Sequence, residues 1–164
     1  MSLTLAGAAG AQLVDAERQP AIDMLRAAEV PVSILGEASE ACPLDGQGLF
    51  DIVLGSMNAH GINWVQAEPR HDHRAVVTLY TFGEADTGCA AYLLIELDET
   101  ASLELDYSAD TFDSTVTLVR LDTRFGPTRT TGTAYQVEFF AELAPTLSDA
   151  WAVLLDEGSL DASE

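Results

Sequence analysis

The hydrophobic pattern of this chain changes its period near Ile62, and this change limits the folds open to it. Before Ile62, apolar residues recur about every 3.6 positions, which is typical of one face of an α-helix. After Ile62 they alternate, and β-branched and aromatic residues become common, which is typical of β-strands. The pattern predicts helices near residues 8–18, 20–29 and 46–59, then strands, then a closing helix near 147–157. We therefore expect an α+β fold.

The strands are expected to form one sheet. They are predicted near residues 62–67, 74–82, 89–97, 102–108, 114–122 and 131–140. The connections between them are short, and short connections join antiparallel neighbours. The sequence thus predicts an antiparallel meander of five to six strands over about residues 62–140, with N-terminal helices before it and a C-terminal helix packed on one face. A further short strand is expected at residues 32–35.

The closing helix carries its own signals. Thr146 and Asp149 have the spacing of a capping box, and Trp151 lies on the apolar side of the predicted helix. We expect Trp151 to dock this helix on the sheet. Residues 1–158 are predicted to form a single domain, and residues 159–164 a mobile acidic tail.

The charge balance excludes several functions. The chain has 27 acidic residues, seven arginines and no lysine, for a net charge of −20. Lysine-dependent catalysis is therefore excluded, and nucleic acid is not expected as a partner because phosphate binding needs local positive charge. No apolar stretch approaches the 20 or so residues that a membrane span needs. The N-terminus lacks the basic residues of an export signal, which favours a cytoplasmic protein, with Cys42 and Cys89 as buried reduced thiols.

The clearest candidate site is acidic. If residues 98–101 form a hairpin turn, the alternating pattern places four carboxylates on one outward face, and two more continue it. These residues are Glu96, Asp98, Glu104, Asp106, Asp110 and Asp113. Such a face is expected to bind a basic protein partner. The alternative is that the acidity only hydrates the surface, as an adaptation to high salt or to a genome that disfavours lysine codons.

A second candidate site combines histidines and arginines. His71 and His73 are two positions apart, which is a spacing that suits a metal, but the flanking Arg70 and Arg74 repel a cation. No metal and no cofactor are therefore expected. The same turn, together with His60 and a looser group of Arg120, Arg124 and Arg129, is a candidate anion or ligand site. In that alternative the protein is a small-molecule binder or an enzyme with a pocket between helices and sheet.

The motifs of common enzymes are missing, which favours a protein without catalytic activity. There is no nucleophile elbow, no dinucleotide fingerprint and no phosphate loop. In composition and layout the chain is similar to small acidic secretion chaperones and to toxin-neutralising immunity proteins. That resemblance implies a chaperone- or immunity-type protein that engages a basic protein through an acidic sheet face. Nothing in the pattern indicates an oligomeric state.

Overall fold

Three helices and five strands make up the part of the chain that the computed structural model describes, which is residues 18–67, 72–84, 86–104 and 111–155. In chain order they are α1 (Arg18–Leu25), β1 (Val30–Ala38), α2 (Gly46–Ala59), β2 (Trp64–Gln66), β3 (His73–Glu84), β4 (Gly88–Glu104), β5 (Thr111–Phe125) and α3 (Gly132–Leu154). The predicted α+β class is confirmed. The predicted tail at 159–164 and nearly all of the predicted helix at 8–18 lie outside the described residues.

The sheet is mixed, so the predicted antiparallel meander is wrong in part. Its strand order is β2-β1-β3-β4-β5. Strand β1 pairs in parallel with both β2 and β3, whereas β3, β4 and β5 pair antiparallel. The physical reason is α2, which lies between β1 and β2 in the chain and provides the long crossover that parallel pairing needs. Asp45 caps this helix, accepting a 3.1 Å hydrogen bond from the Gln47 amide.

The strand predicted at residues 131–140 is also wrong, because these residues begin α3. The buried side chains of its first half recur every fourth residue: Tyr135, Phe139, Leu143 and Leu147. The aromatic content favoured a strand, but this spacing is helical. Thr146 lies within the helix and not at its start, and its hydroxyl donates to the Glu142 carbonyl at 2.8 Å.

The hairpin turn predicted at residues 98–101 does not form. These residues lie inside β4, which runs unbroken from Gly88 to Glu104 and pairs along its length with β5. A register shift between Leu97 and Asp98 leaves Leu118 as an extra residue on β5. Residues 98–101 contain neither glycine nor proline, and the one turn-favouring residue, Asp98, accepts a hydrogen bond from Thr117 of β5, so pairing with β5 prevails. The predicted strand 89–97 and residues 102–104 of the predicted strand 102–108 therefore belong to one strand, and residues 105–108 lie outside the described residues.

The two cysteines are bonded, so the prediction of reduced thiols is wrong. Cys42, in the β1–α2 connection, forms a disulfide with Cys89 at the start of β4. The two residues are 47 positions apart in sequence, and their Cα atoms are 5.7 Å apart in the fold, within the range that a disulfide spans. The sequence separation gave no hint of this proximity.

The hydrophobic core lies between the helices and one face of the sheet. Trp151 of α3 is fully buried, and its indole Nε1 donates to Ser56 Oγ on α2 at 2.9 Å. The last helix thus packs against α2 through Trp151, and its docking on the sheet through this residue stays a prediction. Within the described ranges, no helix is long and apolar enough to cross a membrane.

Candidate functional site

The two faces of the sheet have different surroundings. Every second residue of the central strands, for example Val77, Leu79, Leu93 and Ile95, joins the core cluster with the helices. The residues between them point to the other side of the sheet and do not belong to that cluster. We call this side the open face, although Val76, Thr78 and Leu94 at its middle are buried. Its members are Ser33, Leu35, Glu37, Arg74, Val76, Thr78, Tyr80, Phe82, Ala90, Tyr92, Leu94, Glu96, Asp98, Thr117, Arg120, Asp122 and Arg124.

At one end of the open face, which we call the paired end, charged side chains lie beside partners on neighbouring strands. Arg74, Asp98 and Thr117 lie opposite one another on β3, β4 and β5. The Asp98 carboxylate, only 8% exposed, accepts a 2.9 Å hydrogen bond from Thr117 Oγ1 and lies 3.8 Å from Arg74 Nε. The register that aligns these strands therefore holds Asp98 between two partners.

The next row toward the middle of the face is also paired. Glu96 and Arg120 lie opposite each other, with Oε1 4.0 Å from Nε. A side-chain hydrogen bond with Tyr92 raises the pKa of the Arg120 guanidinium, and the negative charge of Glu96 raises it further. Two of the predicted partner-binding carboxylates, Glu96 and Asp98, thus have cations beside them within the protein.

The remaining predicted carboxylates belong to the far part of β4 and β5. Beyond Glu99, β4 pairs only with β5, so residues 100–104 and 111–115 form a two-stranded ribbon that extends past β3. Asp113 is exposed there and accepts a 2.6 Å hydrogen bond from Ser102 Oγ. Glu104 is the last described residue of β4, and Asp106 and Asp110 lie outside the described residues. The binding role of these carboxylates stays a prediction.

The other end of the open face, which we call the unpaired end, is apolar and charged at once. Glu37, Tyr80, Tyr92 and Arg124 form one row across four neighbouring strands, each directly opposite the next. The two tyrosine rings lie 6.5 Å apart and are tilted by 30°. The side chains of Glu37 and Arg124 make no ion pair or hydrogen bond with any residue in the described ranges.

Large apolar side chains surround this row. Leu35 is 52% exposed, Phe82 53% and Tyr80 37%. A shallow groove of about 650 Å³ runs beside them, and its lining comprises Tyr80, Phe82, Ala90, Ala91, Tyr92, Arg124, Phe125, Gly126 and Pro127. Contiguous apolar patches larger than a few hundred Å² are uncommon on the surfaces of monomers, and they are typical of interaction sites.

The groove rests on a rigid support. Phe125 contacts Phe139 edge to face at 5.0 Å, and Phe139 in turn stacks on the buried Tyr135 at 5.6 Å. The Cys42–Cys89 disulfide lies at the same end of the sheet. Gly83 follows Phe82 with a φ of 152°, and a Cβ there would collide with the Gly88 carbonyl and approach Cys42 Sγ. This strand end therefore requires glycine at position 83.

Burial also changes the chemistry of Tyr135. Its side chain is 1% exposed, and its hydroxyl has no hydrogen-bond partner among the described residues. Desolvation raises the pKa of Tyr135 to about 12, with a further contribution from the negative charge of Glu142. The phenol therefore stays neutral beneath the groove.

The histidines and arginines of the second candidate site are spread out. His60 caps α2 and shares a 2.9 Å hydrogen bond with Ser148 Oγ on α3. His73 and Arg74 begin β3, whereas Arg124 ends β5 and Arg129 lies in the connection to α3. The β4 partners of Arg74 and Arg124 are Asp98 and Tyr92, six residues or about 20 Å apart along the strand. Arg70 and His71 lie outside the described residues.

No described group of three or more histidine, cysteine, aspartate or glutamate side chains has an arrangement that could hold a metal ion. The space between helices and sheet is filled by side chains less than 2% exposed, such as Trp151, Leu93 and Leu143. The groove instead opens on the opposite side of the sheet.

Sequence reasoning missed the unpaired end, although β3 carried a signal for it. The run from Ala75 to Phe82 is apolar or weakly polar at both alternating positions. A strand of this kind is covered on both faces or presents one of them to a partner. Glu37 had no comparable signal, because its place beside Tyr80 depends on the parallel pairing of β1 and β3.

Comparison with known proteins identifies no relative: no protein-family model matches the chain, and no curated protein matches it. The function of this chain is therefore argued from its own residues.

Proposed function

We propose that this protein is a non-enzymatic binding protein that engages a basic protein partner through the unpaired end of its open face. The observation that carries the proposal is the exposure of Leu35, Tyr80 and Phe82 together on the open face of the sheet, outside the core cluster. Burying such side chains against a partner is favourable by about 25 cal/mol for each Å² of apolar surface removed from water.

Charge supports a basic partner. Glu37, Glu84 and Asp122 are exposed around the aromatic side chains, against Arg124 in the groove, and the whole chain carries a net charge of −20. A negative field of this kind speeds the approach of a basic protein and slows that of an acidic one. The exposed carboxylate of Asp113 on the ribbon adds to the same field.

The arrangement favours binding over catalysis. The polar groups of the paired end are held by one another, and those of the unpaired end lie on a shallow, open surface. Catalytic groups usually converge in a recess that excludes water. The cytoplasmic location expected from the sequence forms part of the proposal, although the Cys42–Cys89 disulfide is of a kind that is rare in reducing compartments. The native lysate of the capture test is therefore prepared without reductant.

A comparison of two immobilised variants tests the proposal. Phe82→Ser removes an exposed side chain from the unpaired end, and Val137→Ser removes a 68% exposed side chain from α3 as a matched control. We expect the wild type and Val137→Ser to capture the same basic proteins from native lysate, with capture decreasing at high salt, and Phe82→Ser to lose them. Capture of the same set by all three proteins would reject the unpaired end as the binding surface.

A further inference from the structure

The row Glu37–Tyr80–Tyr92–Arg124 has opposite charges at its two ends and aromatic rings between them. Elsewhere on the open face, opposite charges in neighbouring strands pair with each other, as Glu96 does with Arg120. Glu37 and Arg124 are separated by two tyrosines and have no such partner in the described ranges. Asp122, on the neighbouring row, makes no ion pair with Arg124.

The dimensions of this row match an extended peptide. Neighbouring strands are about 4.8 Å apart, so three steps from Glu37 to Arg124 span about 14 Å. An extended chain rises about 3.4 Å per residue and points its side chains at positions i, i+2 and i+4 to the same side. Positions i and i+4 are therefore also about 14 Å apart.

We propose that the unpaired end binds an extended segment of the partner that crosses the strands, with a basic side chain on Glu37, an apolar side chain on the two tyrosines and an acidic side chain on Arg124. This inference rests on the proposed function and adds the sequence pattern of the bound segment, which is basic–x–apolar–x–acidic in either chain direction. Charge complementarity selects the segment, and the aromatic rings provide the apolar contact.

Fluorescence titration with synthetic peptides tests the inference. The probe is the labelled peptide Gly-Arg-Ser-Leu-Ser-Glu-Gly, and an isomer with arginine and glutamate adjacent is the spacing control. We expect saturable binding of the probe with a dissociation constant at or below about 1 mM, and binding of the isomer at least about fivefold weaker. Equal binding of the two peptides would overturn the inference.

Charge reversal in the protein provides the second arm. Glu37→Arg and Arg124→Glu should each weaken probe binding about tenfold, because each leaves two like charges at the ends of the row. The double variant should return to within about threefold of the wild type, since the segment then binds in the opposite direction. Asp149→Arg, at an exposed site on α3, makes the same change in net charge as Glu37→Arg and should leave binding unchanged.

The outcomes separate this inference from the proposed function. If Glu37→Arg weakens binding and Arg124→Glu strengthens it, the protein attracts only the arginine of the probe and makes no contact with its glutamate, so the inference is overturned while the basic partner stands. The same holds if an arginine-rich peptide binds and the mixed probe does not. Both proposals fail if neither peptide binds the wild type. Both also fail if the single charge variants bind the probe as the wild type does and Phe82→Ser still captures the same basic proteins from lysate.

Discussion

The two ends of the open face use similar residues in different ways. At the paired end, arginine and carboxylate side chains lie on adjacent strands and contact each other, as Arg74 and Asp98 do. At the unpaired end, Glu37 and Arg124 lie three strands apart with tyrosines between them. The register of the strands therefore decides whether a charge supports the fold or stays available to a partner. Charge counted along the sequence does not reveal this difference.

The largest effect is expected from the disulfide that supports the unpaired end. Cys42 and Cys89 close a loop of 47 residues, and loss of such a cross-link costs about 4 kcal/mol through the added entropy of the unfolded chain. We expect the Cys42→Ala/Cys89→Ala variant to lose about this much in the free energy of unfolding, measured in urea. A loss below about 1 kcal/mol would show that this end of the sheet does not depend on the bond.

The second effect concerns the aromatic stack beneath the groove and depends on pH. Because the pKa of Tyr135 is raised to about 12 in the folded protein, its phenol is ionised first in the unfolded chain, near pH 10. Below about pH 10, ionisation of this phenol therefore does not lower the free energy of unfolding. Between about pH 10 and pH 12 it lowers that free energy by about 2 to 3 kcal/mol.

A Tyr135→Phe variant serves as the control for this pH effect. It keeps the stacking on Phe139 and has no phenol to ionise, so its unfolding free energy should decrease less between pH 10 and 12 than that of the wild type. At neutral pH it should be as stable as the wild type or more so, because the hydroxyl has no partner among the described residues. Parallel pH profiles for the two proteins would contradict the burial of this phenol.

The smallest effects on stability come from neutralising one carboxylate at each end. Asp98→Asn removes the charge that Arg74 contacts and should lower the free energy of unfolding by about 1 to 2 kcal/mol. This loss is smaller than that expected for a fully buried ion pair, because Arg74 is partly exposed to solvent. Glu37→Gln should change the unfolding free energy by less than about 0.5 kcal/mol, since no described residue makes an ion pair or hydrogen bond with the carboxylate. An equal loss of unfolding free energy at Asp98 and Glu37 would contradict the difference between the paired end and the unpaired end.

The sequence predicted the elements whose signals are local. Helix α2 begins at Gly46 and ends at Ala59, as the helical spacing of its apolar residues predicted, and Trp151 of α3 is buried. The errors arose where distant residues decide the outcome. The parallel pairing of β1, the continuity of β4 through Asp98 and the Cys42–Cys89 bond all depend on partners far along the chain.

The candidate site was harder to predict for the same reason. Alternation correctly indicated that Glu96 and Asp98 share a face, but it gave no information on the cations of β3 and β5 that lie beside them. The row from Glu37 to Arg124 draws one residue from each of four strands, so it exists only once the register of the sheet is known.

The most direct test of the central claim is an NMR titration of the isotope-labelled protein with an arginine-rich peptide. The account predicts saturable shifts of the backbone amides of Glu37, Tyr80 and Tyr92, while those of Asp98 and Thr117 at the paired end stay in place. Shifts centred on the paired end or on the ribbon around Asp113, with the unpaired end unchanged, would contradict the claim.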